Sequence, residues 1–215
     1  MRPASPPALN ISRATAWLLG LNIAVHLARL AMPPELERSL IVHGGFAPSF
    51  FLAPGYGLTL PDEPLAWLTP VTYAFLHGDV MHLLINMGFL LAFGTAVERR
   101  LGLKRYLAFY LALGALALSG STIGYWVSGE VVLVIGASGA VSGLFGAAAR
   151  LMFAERARGL TMIGLFLGIN LVFGVTGIQT FGGVRAIAWE AHAAGLVLGY
   201  LLFPLFDHRP SARAV

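Results

Sequence analysis

The sequence contains no cysteine, which excludes disulfide bonds and thiolate metal sites from its 215 residues. Charged residues are also scarce: they make up 11% of the chain, whereas soluble domains average about 25%. Hydrophobic residues reach 57%. Several apolar stretches approach or exceed the roughly 18 to 20 residues that cross a bilayer. The chain is therefore predicted to be an all-α membrane protein, embedded in a lipid bilayer as one compact bundle.

Six apolar segments predict a six-helix transmembrane domain at residues 15–206, between short tails at 1–14 and 207–215. The first segment follows two arginines, as a signal peptide does, but residues 29–33 make a poor cleavage site. It is therefore interpreted as a retained span. The predicted spans are 15–31, 80–97, 105–126, 137–153, 160–178 and 189–206.

Most basic residues fall on one side of these spans, and the loops on the other side are acidic with few bases. The basic group is Arg2, Arg13, Arg99, Arg100, Lys104, Arg105, Arg150, Arg156, Arg158, Arg209 and Arg213. The acidic group is Glu35, Glu37, Asp62, Glu63, Glu130 and Glu190. By the positive-inside rule, both termini are cytoplasmic. The sequence pI of about 9.9 thus reflects topology, and no nucleic-acid partner is expected. The short N-terminal tail, without an organelle presequence, favours a prokaryotic inner membrane.

The predicted external loop at residues 32–79 is long for a compact bundle. It is rich in proline and in aromatic residues, which are Phe46, Phe50, Phe51, Tyr56, Trp67 and Tyr73. Long loops of this kind are usually functional or packed against the domain. We expect this loop to lie partly in the outer leaflet.

Four polar side chains share one depth, because spans two, four and six all begin on the external side. They are His82 and Asn86 in span two, Ser138 in span four and His192 in span six. Rows of small residues on spans four and six favour close helix approach, which would bring His192 to Ser138. Histidine could then take the serine proton as general base, so the pattern predicts a Ser138–His192 dyad.

Acyl hydrolysis also requires donors aimed at the developing oxyanion. The backbone N–H of Ser138, at a helix start, is one candidate, and the side chains of His82 and Asn86 are the others. No carboxylate is placed to orient His192, so helix packing is expected to hold the imidazole.

Each feature has a structural alternative. The segment 136–140 alone is typical of helix packing, and His82 with Asn86 could simply join two helices. His77, His82 and His192 could suggest a metal site, but no ligand-spaced cluster is present, so neither a metal nor another cofactor is expected. A transporter would require internal repeats and a polar site at the midplane, whereas these residues lie at one end.

Taken together, the motifs resemble those of rhomboid intramembrane serine proteases. Residues 77–86 resemble that family's second-span motif, 136–140 its nucleophile motif, and 191–196 with Gly199 its base motif. Gly94, Glu98 and Gly102 match its G-x-x-x-E-x-x-x-G pattern. The resemblance covers residues 67–200. Two departures are Leu68 after Trp67, where many members have arginine, and Ser142, where some members have a tyrosine that stacks on the base.

The resemblance implies hydrolysis of peptide bonds in or near transmembrane segments of protein substrates. It implies Ser138 as nucleophile, His192 as base, and His82, Asn86 and the Ser138 N–H as the oxyanion site. It also implies lateral substrate access near residues 166–189, including Phe173 and Phe181. A non-catalytic rhomboid-like binder of transmembrane helices is the alternative, although such proteins typically lack the serine or the histidine. Glu98 is expected to bind loop backbone, Arg99 or Arg105.

Overall fold

A computed structural model of the chain describes residues 11–52, 64–129, 132–153, 156–176 and 188–208. The longer helices are α1 Arg13–Leu30, α2 Pro34–Gly44, α3 Val80–Leu101, α4 Leu103–Ser128, α5 Ser138–Met152, α6 Arg156–Thr176 and α7 Trp189–Phe206. Single turns at Ser49–Leu52, Pro64–Leu68, Thr69–Thr72 and Tyr73–Phe75 lie between α2 and α3.

Each predicted span coincides with one of these helices over the residues that the structure describes. Three helices, α3, α4 and α7, are long and apolar enough to cross a membrane by length and composition, and Ala157–Val172 is a shorter apolar stretch within α6. Several predictions lie outside the described residues. These concern most of both tails, Tyr56, Asp62, Glu63, Glu130, residues 177–178 of the fifth span, and Phe181.

Helix α3 carries two of the candidate site residues and starts with a side-chain cap. Asp79 accepts a hydrogen bond from the backbone N–H of His82 at 2.8 Å, which satisfies a free donor of the first turn. A π-helical turn at Leu90–Gly94 interrupts the α-helical geometry of α3 halfway along. The inserted residue changes which face of the helix the following side chains occupy.

Glycines allow α5 and α7 to cross at backbone contact. A Cβ placed on Gly199 would lie 1.9 Å from the carbonyl oxygen of Gly143, and one on Gly195 would lie 2.2 Å from that of Gly139. Neither position can hold a larger residue without moving a helix. The predicted close approach of spans four and six is confirmed.

The loop between α2 and α3 packs on the bundle and holds the segment before α5. Phe46 and Val134 exchange backbone hydrogen bonds of 3.0 and 2.7 Å. The hydroxyl of Tyr73 donates to the carbonyl of Gly114 in α4 at 2.7 Å. The carbonyl of Tyr73 accepts from the N–H of Gly136 at 2.8 Å. This loop therefore fixes the turn that leads into Ser138.

Glu98, near the end of α3, binds the first turn of α1. Its carboxylate accepts from the N–H groups of Ala14 and Thr15 at 2.9 and 2.8 Å, and from the Thr15 hydroxyl at 2.8 Å. A carboxylate at a helix N-terminus satisfies free donors and complements the helix dipole. Glu98 therefore binds backbone, as expected, but the backbone belongs to the start of a helix instead of a loop. The true partner lies more than eighty residues earlier.

The other end of α1 is attached through Arg29, which is 3% exposed. Its guanidinium donates to the carbonyl of His77 and forms an ion pair with Glu37 of α2 at 2.9 Å. Helix α1 is thus bound at its start to α3 and at its end to the segment before α3.

Candidate active site

Ser138 is the first residue of α5 and follows a turn that requires glycine. Gly136 has a φ of +117°, in the left-handed region that side chains disfavour. A Cβ at this position would also lie 2.8 Å from Nε2 of His82. The turn therefore brings the chain against His82 and leaves the backbone N–H of Ser138 among the free donors of the first turn of α5.

His192 lies in the first turn of α7, opposite Ser138. Its Nε2 is 2.7 Å from Oγ of Ser138. Both side chains are half-buried, so water can approach them. The contact follows from the glycine crossing, because Gly195, one turn after His192, lies against Gly139, which adjoins Ser138.

A third residue, Asn170 of α6, contacts the other nitrogen of the imidazole. Its Oδ1 lies 3.0 Å from Nδ1 of His192, and its Nδ2 donates to the carbonyl of Phe166 at 2.8 Å. Sequence reasoning missed this residue. The available signal was one amide within the apolar fifth segment, and polar groups inside membrane helices are functional candidates by default.

The contacts of His82 determine which of its two ring nitrogens carries the proton. The N–H of Gly78 donates to its Nδ1 at 3.3 Å, so the neutral ring carries its proton on Nε2. That Nε2 lies against Gly136, and a Cβ built on Gly136 would be 3.8 Å from Oγ of Ser138. His82 therefore presents an N–H donor close to the serine hydroxyl.

Asn86 is 4% exposed and lies one turn further along α3. Its Nδ2 donates to the carbonyl of His82 at 2.9 Å. A side-chain amide has two N–H bonds, so one remains for another acceptor. The structure thus places Asn86 on the same face as His82, with its amide partly committed to its own helix.

Ser142 occupies the position at which some rhomboids carry a stacking tyrosine. It is 5% exposed and lies one turn after Ser138. The aromatic contact in this region lies elsewhere: Phe145 of α5 and Phe166 of α6 have ring centroids 4.9 Å apart. This pair packs α6 on α5 one turn before Asn170.

His77 supports the turn before Ser138 without contacting it. Its Nε2 accepts from the N–H of Ala137 at 3.4 Å, and its side chain is fully buried. Burial, then the neighbouring His82, lowers the pKa of His77 from 6.5 to about 3. The ring is therefore neutral and acts as a hydrogen-bond acceptor.

No metal site is evident among the residues that the structure describes. The rings of His77 and His82 meet edge to face, with centroids 5.1 Å apart. No group of three or more His, Asp or Glu side chains there converges with the geometry of a metal ligand set. The arrangement thus offers proton transfer and hydrogen-bond donation.

The structure is a helical bundle that includes apolar helices of membrane-spanning length. A serine and a histidine are in contact at the starts of two helices. Together these features define a multi-pass membrane protein with a hydrolase-like site. The family model described as the Rhomboid domain matches residues 64–208. The chain belongs to the rhomboid family, and the predicted resemblance is confirmed.

The chain is similar to several bacterial proteins. The chain is 29% identical over 184 residues to "Rhomboid protease GlpG" of Yersinia pestis (strain Pestoides F), covering 82% of this chain and 60% of that protein. It is 34% identical over 138 residues to "Rhomboid protease GluP" of Bacillus subtilis (strain 168), covering 62% of this chain and 25% of that protein. It is 38% identical over 93 residues to "Putative rhomboid protease YdcA" of the same strain, covering 43% and 44%.

These findings bear on where the protein resides. The family and the apolar helices confirm the prediction of a multi-pass integral membrane protein. The bacterial relatives support the predicted prokaryotic inner membrane.

Proposed function

We propose that the chain is an intramembrane serine endopeptidase that hydrolyses peptide bonds in or near transmembrane segments of other membrane proteins. The observation that carries this proposal is the 2.7 Å separation between Oγ of Ser138 and Nε2 of His192. Membership of the rhomboid family and relatives named rhomboid proteases support it. A non-catalytic binder would have no use for this contact.

In the proposed reaction, Oγ of Ser138 attacks the carbonyl carbon of the scissile bond while Nε2 of His192 takes the hydroxyl proton. The C–N bond then breaks, and the imidazolium returns the proton to the leaving amine. Water, deprotonated by the same histidine, hydrolyses the acyl-enzyme and frees Ser138. Neither a metal nor an organic cofactor has a step in this scheme.

The negative charge on the tetrahedral intermediate requires fixed donors. The backbone N–H of Ser138 and the Nε2–H of His82 are two of these donors in this proposal, which is supported by the position of His82 Nε2 against Gly136, two residues before Ser138. The remaining amide N–H of Asn86 is the third donor in this proposal. Removing one donor of this kind typically lowers kcat by about 10²- to 10³-fold.

The proposed topology has six spans, with both termini in the cytoplasm and the dyad near the external surface. It rests on the distribution of basic and acidic residues and on the six helical segments. Transmembrane substrates are proposed to approach the site past α6. The exposed apolar side chains there, Leu165, Ile169 and Val172, suit contact with lipid or with another helix.

Two variants test the activity. Purified protein in detergent or liposomes is assayed for cleavage of a transmembrane reporter and for labelling by a fluorophosphonate or isocoumarin probe. Ser138→Ala and His192→Ala should both abolish cleavage and labelling while the thermal melting transition is retained. Cleavage by folded Ser138→Ala at the parent rate would refute the proposed nucleophile.

A further inference from the structure

The hydrogen bond between Asn170 of α6 and His192 of α7 has a defined donor and a defined acceptor. The carbonyl of Phe166 can only accept, so the end of the Asn170 amide that faces it, at 2.8 Å, is the NH2 group. The opposite end, Oδ1, therefore faces His192. Because an amide oxygen can only accept, the ring nitrogen 3.0 Å away, Nδ1, must carry a proton.

This direction determines the state of the whole imidazole. A neutral histidine protonated on Nδ1 has its lone pair on Nε2, the nitrogen that lies 2.7 Å from Oγ of Ser138. The serine hydroxyl then donates to His192. The opposite tautomer would place an N–H bond against Ser138 and a lone pair against Oδ1 of Asn170, so it would be repelled at one end and unable to accept a proton at the other.

We propose that Asn170 is a positioning residue, which holds His192 in the tautomer that can deprotonate Ser138 and binds the imidazolium formed in the reaction. The proposal rests on the proposed protease activity. Among the described residues, no carboxylate is hydrogen-bonded to His192, and Ser142 supplies no ring beneath it. A side-chain amide performs the same orienting role for the histidine of papain-like proteases.

The orienting group comes from a helix with few buried apolar side chains. Among the described side chains of α6, Ile163 is the buried apolar one, whereas Leu165, Ile169 and Val172 are exposed. Asn170 itself is half-buried. The hydrogen bond to Nδ1 thus depends on α6 packing on α5 through Phe166, and the tautomer of His192 reports that packing.

The first test reads the tautomer directly and requires no activity. Protein labelled with [15N]histidine is compared by NMR with Asn170→Leu, and His192→Gln identifies the His192 signals. The parent should show a protonated Nδ1 and an unprotonated Nε2 for His192. Asn170→Leu should show a mixture or the opposite tautomer, whereas Asn170→Asp should restore the parent pattern, because a carboxylate also accepts. An unchanged tautomer in Asn170→Leu would overturn the proposal.

The second test separates positioning from stability. Asn170→Leu should lower kcat about 10- to 100-fold with little change in KM, since the lost hydrogen bond strengthens only when the imidazole is charged. Gly20→Ala is the control, because Gly20 lies on α1, away from the α6 face proposed for substrate approach, and a Cβ there meets nothing within 4 Å; it should leave both constants unchanged. If Asn170→Leu does not fold, Asn170→Ala replaces it. A folded variant with the parent kcat would contradict the proposal.

The two tests also distinguish this proposal from the protease proposal. If the parent and every variant lack cleavage but the tautomer follows Asn170, the protease assignment fails and the positioning role stands. If the parent cleaves and Asn170→Leu changes neither readout, the positioning role fails and the dyad stands.

Discussion

The crossing of α5 and α7 makes Gly199→Ala a sensitive test of the site, although Gly199 lies two helical turns from His192, or about 10 Å along the axis. The new Cβ would lie 1.9 Å from the carbonyl oxygen of Gly143. It would also lie 2.6 Å from the carbonyl carbon and 2.7 Å from the Cα of the same residue. All three atoms belong to backbone, so no side chain can rotate away.

The size of the effect follows from these distances. An ordinary carbon–oxygen contact is about 3.3 Å, so relief of the 1.9 Å contact requires the helices to separate by about 1.4 Å. A rigid shift of α7 by that amount would lengthen the 2.7 Å contact between Ser138 and His192 beyond hydrogen-bond range. Overpacking of this kind costs about 1 to 3 kcal/mol, and misplacement of reacting groups by 1 Å can lower the rate about 100-fold.

The assay combines thermal melting with reporter cleavage at a temperature where the variant is folded. Gly199→Ala should lower the melting temperature by about 2 to 10 °C and cleavage by at least about 10-fold. Gly20→Ala adds the same methyl group to an open face of α1, where nothing lies within 4 Å, and should retain both properties, or melt slightly higher, because alanine favours helix by up to about 1 kcal/mol. If Gly199→Ala melts and cleaves like the parent, the proposed backbone contact is wrong.

Two other predictions concern stability away from the dyad. Glu98→Gln should lower the free energy of unfolding by about 1 to 3 kcal/mol, because the neutral amide offers one acceptor oxygen to the three donors of α1. The folded fraction should cleave the reporter at the parent rate. An unchanged melting temperature would contradict this prediction. His77 has an ordinary pKa of 6.5 when unfolded and about 3 when folded, so protons bind the unfolded state preferentially between these values and stability should fall as the pH decreases through that window. The melting temperature of the parent should therefore fall between pH 7 and pH 4, and it should fall less in His77→Asn. An equal fall in both proteins would refute the lowered pKa of His77.

Part of the site was predictable because its residues follow from depth and spacing. The expected contact between Ser138 and His192 rests on two features of the sequence. These are the number of membrane crossings before each residue and the row of small residues on each helix. Such inferences require only the local sequence and the direction in which each span crosses the membrane.

Asn170 escaped the same reasoning for a geometric reason. The other site residues lie in the first turns of their helices, whereas α6 runs the other way and brings residues near its end to the same site. Asn170 also carries an amide in place of the carboxylate that commonly orients a histidine base. The partner of Glu98 was missed because its first-turn donors lie on α1, and local sequence carries no record of which distant helix start a carboxylate will meet.

Because α1 is attached to Glu98, a fragment of this chain that folds stably by itself should include α1. The stretch that carries the family signature, 64–208, contains this carboxylate but none of the three donors that surround it. Expressed alone, it would leave the Glu98 carboxylate without these three donors, and a hydrogen bond to a charged group contributes about 1.5 to 3 kcal/mol. A shortened version of this chain that keeps every candidate catalytic residue should therefore be less stable than the full chain, unless residues 12–30 are supplied, in the same polypeptide or as a separate peptide.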